Sequence, residues 1–166
     1  MGLIMSKRDD AWLQGILDKI WDNYFPEVMQ VNDVRIIFGR RAKRRLGSIS
    51  LDPKDKTTSI ITMNGVFKRS DIPEFVVEAT IFHELTHYAH GFNSPLNKSQ
   101  PHPHAGGVMK REFAERGLLD LFLQQKKWLK ENWPYILSQE FKASSTGRYT
   151  SSKIIAVPKP FWFIGD

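Results

Sequence analysis

The chain carries His83-Glu84-Leu85-Thr86-His87, two histidines four positions apart with a glutamate directly after the first. On a helix, positions i and i+4 lie about 40° apart around the axis, with Cβ atoms ~5–6 Å apart. Two imidazoles at that spacing converge on one tetrahedral metal, each at ~2.0–2.1 Å. Glu84 lies about 60° round the helix from His87, close enough to reach a water on the metal without becoming a ligand. A metal lowers the pKa of such a water toward ~7, and the carboxylate can take its proton as it attacks a carbonyl. In a chain of this size the pattern arises by chance on the order of 10⁻² to 10⁻³ times, so a specific reason for it is worth seeking. The bland alternative is two partly exposed histidines on an amphipathic helix. The apolar surroundings argue against it, because burying two histidines and a glutamate without a role is expensive.

A catalytic zinc usually takes three protein ligands and leaves one position open. There is no cysteine, so ligands must come from His, Asp or Glu, and zinc ribbons, disulfides and thiol nucleophiles are excluded. His90 shares the face of His83 and His87 but lies a turn or more further along, where it could support or orient the site; it is a poor third ligand. His102 and His104 stand in Pro101-His102-Pro103-His104, a stiff, extended stretch that can return over the helix. Glu112 and Glu115 are the carboxylate alternative, with a charged helix face as the preferred reading for both. No residue stands out as the partner of an oxyanion; Tyr88, His90, Arg148 and Tyr149 are candidates.

The elements that must position these residues follow from periodicity. Residues 9–24 read as a helix, with Trp12, Leu13, Ile16, Leu17, Ile20, Trp21 and Tyr24 at three- and four-residue steps and Pro26 at its end. Val34 to Phe38, Leu46 to Leu51 and Thr57 to Met63 read as three strands, separated by turn-forming residues, and imply a small antiparallel or mixed sheet. Asp71 reads as the cap of the next helix, with Pro73 in its first turn; that helix carries the HExxH sequence to about His90, and Gly91 is its stop. Residues 92–104 read as a loop. A further helical pattern begins near Gly106 and extends as far as Pro134. Residues 143–153 are rich in Ser and Thr, and the aromatics Phe161, Trp162 and Phe163 are expected to dock on the domain rather than stay exposed.

The chain has 166 residues, 41% of them hydrophobic and 12% aromatic, enough for one domain with a real core. No apolar run approaches the ~20 residues of a membrane span. The first ten residues lack an apolar stretch after a basic start, so a secretory signal is not expected. Gly2 and Ser6 fit the loose pattern for N-myristoylation, and an ordinary frayed terminus is the plainer reading. The lack of cysteine suits a reducing, cytoplasmic setting. Net charge is +6. Arg35, Arg40, Arg41, Lys43, Arg44 and Arg45 crowd a stretch without any acid between Asp33 and Asp52. Such a cluster can steer a polyanion to the protein, and a solvated basic loop is the equally weighted alternative.

Over roughly residues 10–125 the order of features resembles the SprT-like zinc metalloproteases, the Spartan-type group. The resemblance lies in a leading amphipathic helix, Arg44-Arg45-Leu46-Gly47-Ser48-Ile49 entering a strand, a strand ending in Met63-Asn64, the His-Glu-Leu-Thr-His-Tyr helix, and Pro103-His104-Ala105-Gly106-Gly107 leading to a basic residue, Lys110, in another helix. It implies one catalytic zinc on His83, His87 and His104, with His102 as the near alternative, and Glu84 as general base for peptide-bond hydrolysis. It also implies a link to DNA, since Spartan-type enzymes cleave proteins crosslinked to it; Arg40, Arg41, Lys43, Arg44 and Arg45 are the candidate contacts. The chain departs from the group's pattern in two places. Ala105 intervenes between the later His and Gly, and Val108-Met109 replace an aromatic. The cysteine-based ribbon of many prokaryotic members is also missing.

These readings give an α+β fold of the zincin-like type, with a three-stranded sheet packed on the HExxH helix and flanking helices. Residues 1–142 form the catalytic domain and 143–166 the tail. The expected activity is that of a zinc-dependent metalloendopeptidase acting on a protein or peptide. The main rival is a nucleic-acid-binding module with structural zinc and no proteolysis; a zincin acting on something other than protein, and a protein-interaction domain using the aromatic tail, are further rivals.

Overall fold

A computed structural model describes residues 7–99, 102 and 104–142; the two ends, with Gly2, Ser6, Arg148, Tyr149 and the aromatic tail, lie outside them. The described chain is α+β, with four helices and a three-stranded mixed sheet.

Helix α1 spans Asp10–Tyr24. It starts where Asp9 accepts a hydrogen bond from the Trp12 amide at 3.0 Å, satisfying one of the donors that a helix start leaves open. Leu13, Ile16, Leu17 and Ile20 form its buried stripe. Strands β1 (Val34–Phe38), β2 (Gly47–Leu51) and β3 (Ser59–Met63) assemble in the order β1-β3-β2. β1 runs parallel to β3 and β2 antiparallel to it. The inward positions Val34, Ile36, Ile49, Ile61 and Met63 join the core. The Asn64 side chain accepts from Val66 and Ala42 and donates to the Ala42 and Arg45 carbonyls. This one buried amide fixes the path of the basic loop between β1 and β2.

Helix α2, Glu74–Ala89, is buried on nearly every face, from Val76 to Tyr88. The sheet, α1 and the two later helices surround it, which places it at the centre of the domain. The expected Asp71 cap is not made. Pro73 occupies the capping position without a side-chain bond, and Asp71 is held by both the Nε and Nη2 of Arg69. Gly91, at φ 81°, closes the helix in a left-handed conformation that glycine adopts at low cost.

The single helical pattern expected from Gly106 to Pro134 is instead two helices, α3 (Val108–Glu115) and α4 (Leu119–Glu140). Gly117 breaks them apart at φ 76°, and the amides of Gly117 and Leu118 return to the carbonyls of Ala114 and Phe113. Pro134 lies inside α4 rather than ending it. The proline is solvent-exposed, so the carbonyl it leaves unbonded can be met by water. Buried Trp133, Ile136 and Leu137 hold the helix on both sides of it. No described helix is long and apolar enough to cross a membrane.

Candidate metal centre

His83 and His87 project from the middle of α2, and His104 arrives from the loop that joins α2 to α3. One ring nitrogen from each lies within 4.8 Å of the others. Ring centroids are 4.8 Å apart for His83–His87, 5.3 Å for His83–His104 and 4.7 Å for His87–His104. Two nitrogens on one tetrahedral ion at ~2.0–2.1 Å stand about 3.4 Å apart, so small ring rotations close the cluster around a metal. His83 and His87 are buried and His104 is exposed. One side of the cluster is thus open to solvent, and among the described residues no fourth His, Asp or Glu joins it.

Electrostatics favour the ligand form of these rings. Burial, followed by the nearness of the other imidazoles, holds His83 well below its ordinary pKa and pushes His87 down to about 3. Burial also lowers His104. Three neutral imidazoles facing one another offer lone pairs to a cation. In addition, His87 Nδ1 is buried with no hydrogen-bond partner among the described residues, a deficit that marks this part of the fold as incomplete without a further group. The residues present therefore fit a metal ion.

Glu84 is only 2% exposed. Its carboxyl is pushed up to about 8 by burial, with Arg45 pulling weakly the other way. Its place is set by β2. A Cβ on Gly47 would stand 2.9 Å from Glu84 Oε1, 3.2 Å from its Cγ and 3.1 Å from Thr80 Cγ2, so a side chain there would push the carboxyl aside.

The other sequence candidates sort clearly. His102 is exposed and does not join the histidine cluster. Glu112 is neither a ligand nor a solvated face: its Oε1 meets His90 Nε2 at 2.7 Å. Glu115 is exposed. The Tyr88 hydroxyl is engaged elsewhere, donating to Asn32 at 2.8 Å and accepting from the Val31 amide. Arg40, Arg41, Lys43, Arg44 and Arg45 are all exposed in the β1–β2 loop. Arg41 pairs with Glu140 at 2.9 Å; the other four make no ion pair among the described residues.

The buried groups make the metal-free protein sensitive to pH. Glu84 has a folded pKa near 8 against an ordinary 4.5. Its stabilising contribution is complete below the ordinary value and is lost as pH rises toward 8. The depressed histidines act in reverse, favouring the fold above about 6.5 and losing that contribution as pH falls toward the lowered values. Between about pH 7.5 and 8, where the unfolded imidazoles have already lost most of their protons, the Glu84 contribution dominates. Stability of the metal-free protein is expected to fall there, by at most about 1.4 kcal/mol per pH unit. Glu84→Gln should flatten the slope, as urea midpoints at the two pH values would reveal; an unchanged slope would exclude Glu84 as its source.

Comparison of the chain with protein-family models, curated proteins and solved structures finds no match in any of the three.

Proposed function

We propose that this chain is a zinc-dependent metalloendopeptidase of the SprT-like, zincin type. The observation that carries the reading is the meeting of His83, His87 and His104, with the buried Glu84 next to the first of them in the helix. An all-imidazole set with an open side suits catalytic zinc, since structural zinc sites are closed by four protein ligands. Zinc held by these rings supplies a Lewis acid for a carbonyl and makes a water acidic enough to be a nucleophile at neutral pH. Glu84 then does the proton work. Its carboxyl sits in a dry site, and a neighbouring cation lowers its pKa just as Arg45 does. Ionised, it accepts a proton at its carboxylate and can return that proton to the leaving amine.

The β2 strand offers a way to hold a peptide. Its bonds to β3 flank the strand at Leu46 and Asp52. Gly47, Ile49 and Leu51, the alternating positions of this antiparallel register, therefore turn their N–H and C=O groups to the free edge. Asn93 already donates to the Ile49 carbonyl at 2.9 Å and Gly47 is buried, leaving Leu51, exposed at the far end of the strand, for an extended substrate to pair with. Gly47→Ala is expected to lower peptide turnover about 100-fold by displacing Glu84 while leaving metal content unchanged. Metal analysis alongside a fluorogenic peptide assay checks this, and normal turnover would exclude the close approach as a requirement.

The exposed cations of the β1–β2 loop favour a polyanionic partner, and with it substrates associated with DNA in a cytoplasmic setting. They equally favour the second reading, a nucleic-acid-binding module with structural zinc. Zinc analysis with a casein assay, run with and without single-stranded DNA, separates the two. Proteolysis abolished by a chelator supports the first. Salt-dependent DNA binding by a zinc-loaded but inert protein supports the second. Arg40→Glu with Arg44→Glu is expected to weaken DNA binding at all sequences and to reduce the salt slope by about 0.7–0.9 per lost phosphate contact; an unaltered slope would exclude the loop.

A further inference from the structure

The loop that delivers His104 leaves α2 at His90, and both the loop and the helix that follows it come back to that residue. The His90 carbonyl accepts from the Ser99 amide at 3.1 Å. Its ring meets Glu112, one turn into α3, at 2.7 Å. Hydrogen bonding to His90 holds the Glu112 carboxyl below its usual range. An ionised carboxylate only accepts, so Nε2 carries the hydrogen. Glu112 is fixed from its other side by Arg116. Arg116 in turn bonds the Tyr24 carbonyl, pairs with Glu27 at 2.6 Å and lies 3.9 Å above the Phe25 ring. The start of α3 is thus clamped between the end of α2 and the end of α1.

The pair is not needed to attach α3. Phe113 of α3 already packs on Phe82 of α2, centroid to centroid at 4.1 Å, directly before His83. A partly buried polar pair of this kind adds little net stability over apolar packing, and its best attested use is to fix register. Register matters here. Between His104 and α3 lie Gly106 and Gly107 at φ 61° and 67°, and the Ala105 and Val108 amides close turns on the His102 and Ala105 carbonyls. A shift of α3 along α2 is carried through these turns to the His104 ring.

We infer that His90 and Glu112 are positioning residues for the metal centre, pinning α3 in register on the HExxH helix so that His104 meets His83 and His87. The inference rests on the metal-centre reading and deepens it, without depending on proteolysis.

The test is a double-mutant cycle read in zinc affinity, by competition with a chromogenic chelator, and in the visible spectrum of the cobalt-loaded protein. Glu112→Ala is expected to weaken zinc binding about 10- to 100-fold and to change the cobalt spectrum. Glu112→Gln, whose amide oxygen still accepts from Nε2, should restore most of the affinity. With His104 already replaced by Ala, Glu112→Ala should cost nothing more, because there is no ring left to position. Thermal unfolding of the metal-free variants shows whether each folds. Glu112→Met, which keeps the side-chain volume, replaces the Ala variant in the cycle if that one does not. Equal losses with and without His104 would overturn the inference while leaving the metal centre standing. A wild-type chain that binds no zinc would overturn both. Zinc binding with the expected coupling but no proteolysis would overturn only the proposed function.

Discussion

Replacing Glu84 with Gln is expected to leave zinc in place and to lower peptide hydrolysis about 10²- to 10⁴-fold, the usual contribution of a general base. The three histidines that approach one another do not include Glu84, so ligand number is unchanged. Gln has nearly the same shape and fits the slot against Gly47 and Thr80. What it lacks is a site for the proton. Burial pushes the wild-type carboxyl up to about 8, which means that its charged form is disfavoured in the fold. A residue whose charged form the fold disfavours, next in sequence to one of three rings able to hold a cation, is the arrangement expected of a group kept for chemistry. The check is zinc content together with kcat/KM on a fluorogenic peptide. Full activity in the variant would remove Glu84 from the mechanism.

Much of this arrangement is legible in the sequence, for identifiable reasons. Periodicity and chemistry coincide at His83 to His87, so the helix and two of the three clustered histidines are read together. β-branched runs and turn residues locate the three strands to within two residues at either end, and the fold class follows. The failures are tertiary. Asp71 is an apt helix cap, but Arg69 lies close enough to take both its oxygens. Gly117 inside a helical pattern is compatible with a continuous helix until its φ is known. Pro134 reads as a stop, yet an exposed proline flanked by buried Trp133, Ile136 and Leu137 can be carried inside a helix. The pairing of His90 with Glu112 joins residues 22 positions apart, and no local pattern announces it. The sequence offers one as a support for the site and the other as a candidate ligand, and only the packing of α3 on α2 joins them.

The choice of third ligand is where sequence stopped short, and it carries the second large effect. His104→Ala is expected to reduce zinc affinity about 100-fold, whereas His102→Ala should change it little. Zinc sites with four protein ligands have apparent binding free energies of about 10–16 kcal/mol, or roughly 3 kcal/mol per ligand, and that is about two powers of ten in affinity. In sequence the two histidines are near equivalents, alternating with proline just before a helix. In the fold they part. The backbone of His102 serves a turn, its carbonyl accepting from the Ala105 amide, while its side chain remains in solvent. His104, two residues on, reaches 5.3 Å from the His83 ring and 4.7 Å from the His87 ring. Ala105, inserted where SprT-like proteins commonly have glycine, does not prevent this, because the left-handed turn falls on Gly106 and Gly107. Chelator competition on the two single variants separates them. A large loss for His102 with none for His104 would reassign the ligand, and equal small losses would mean that neither completes the site.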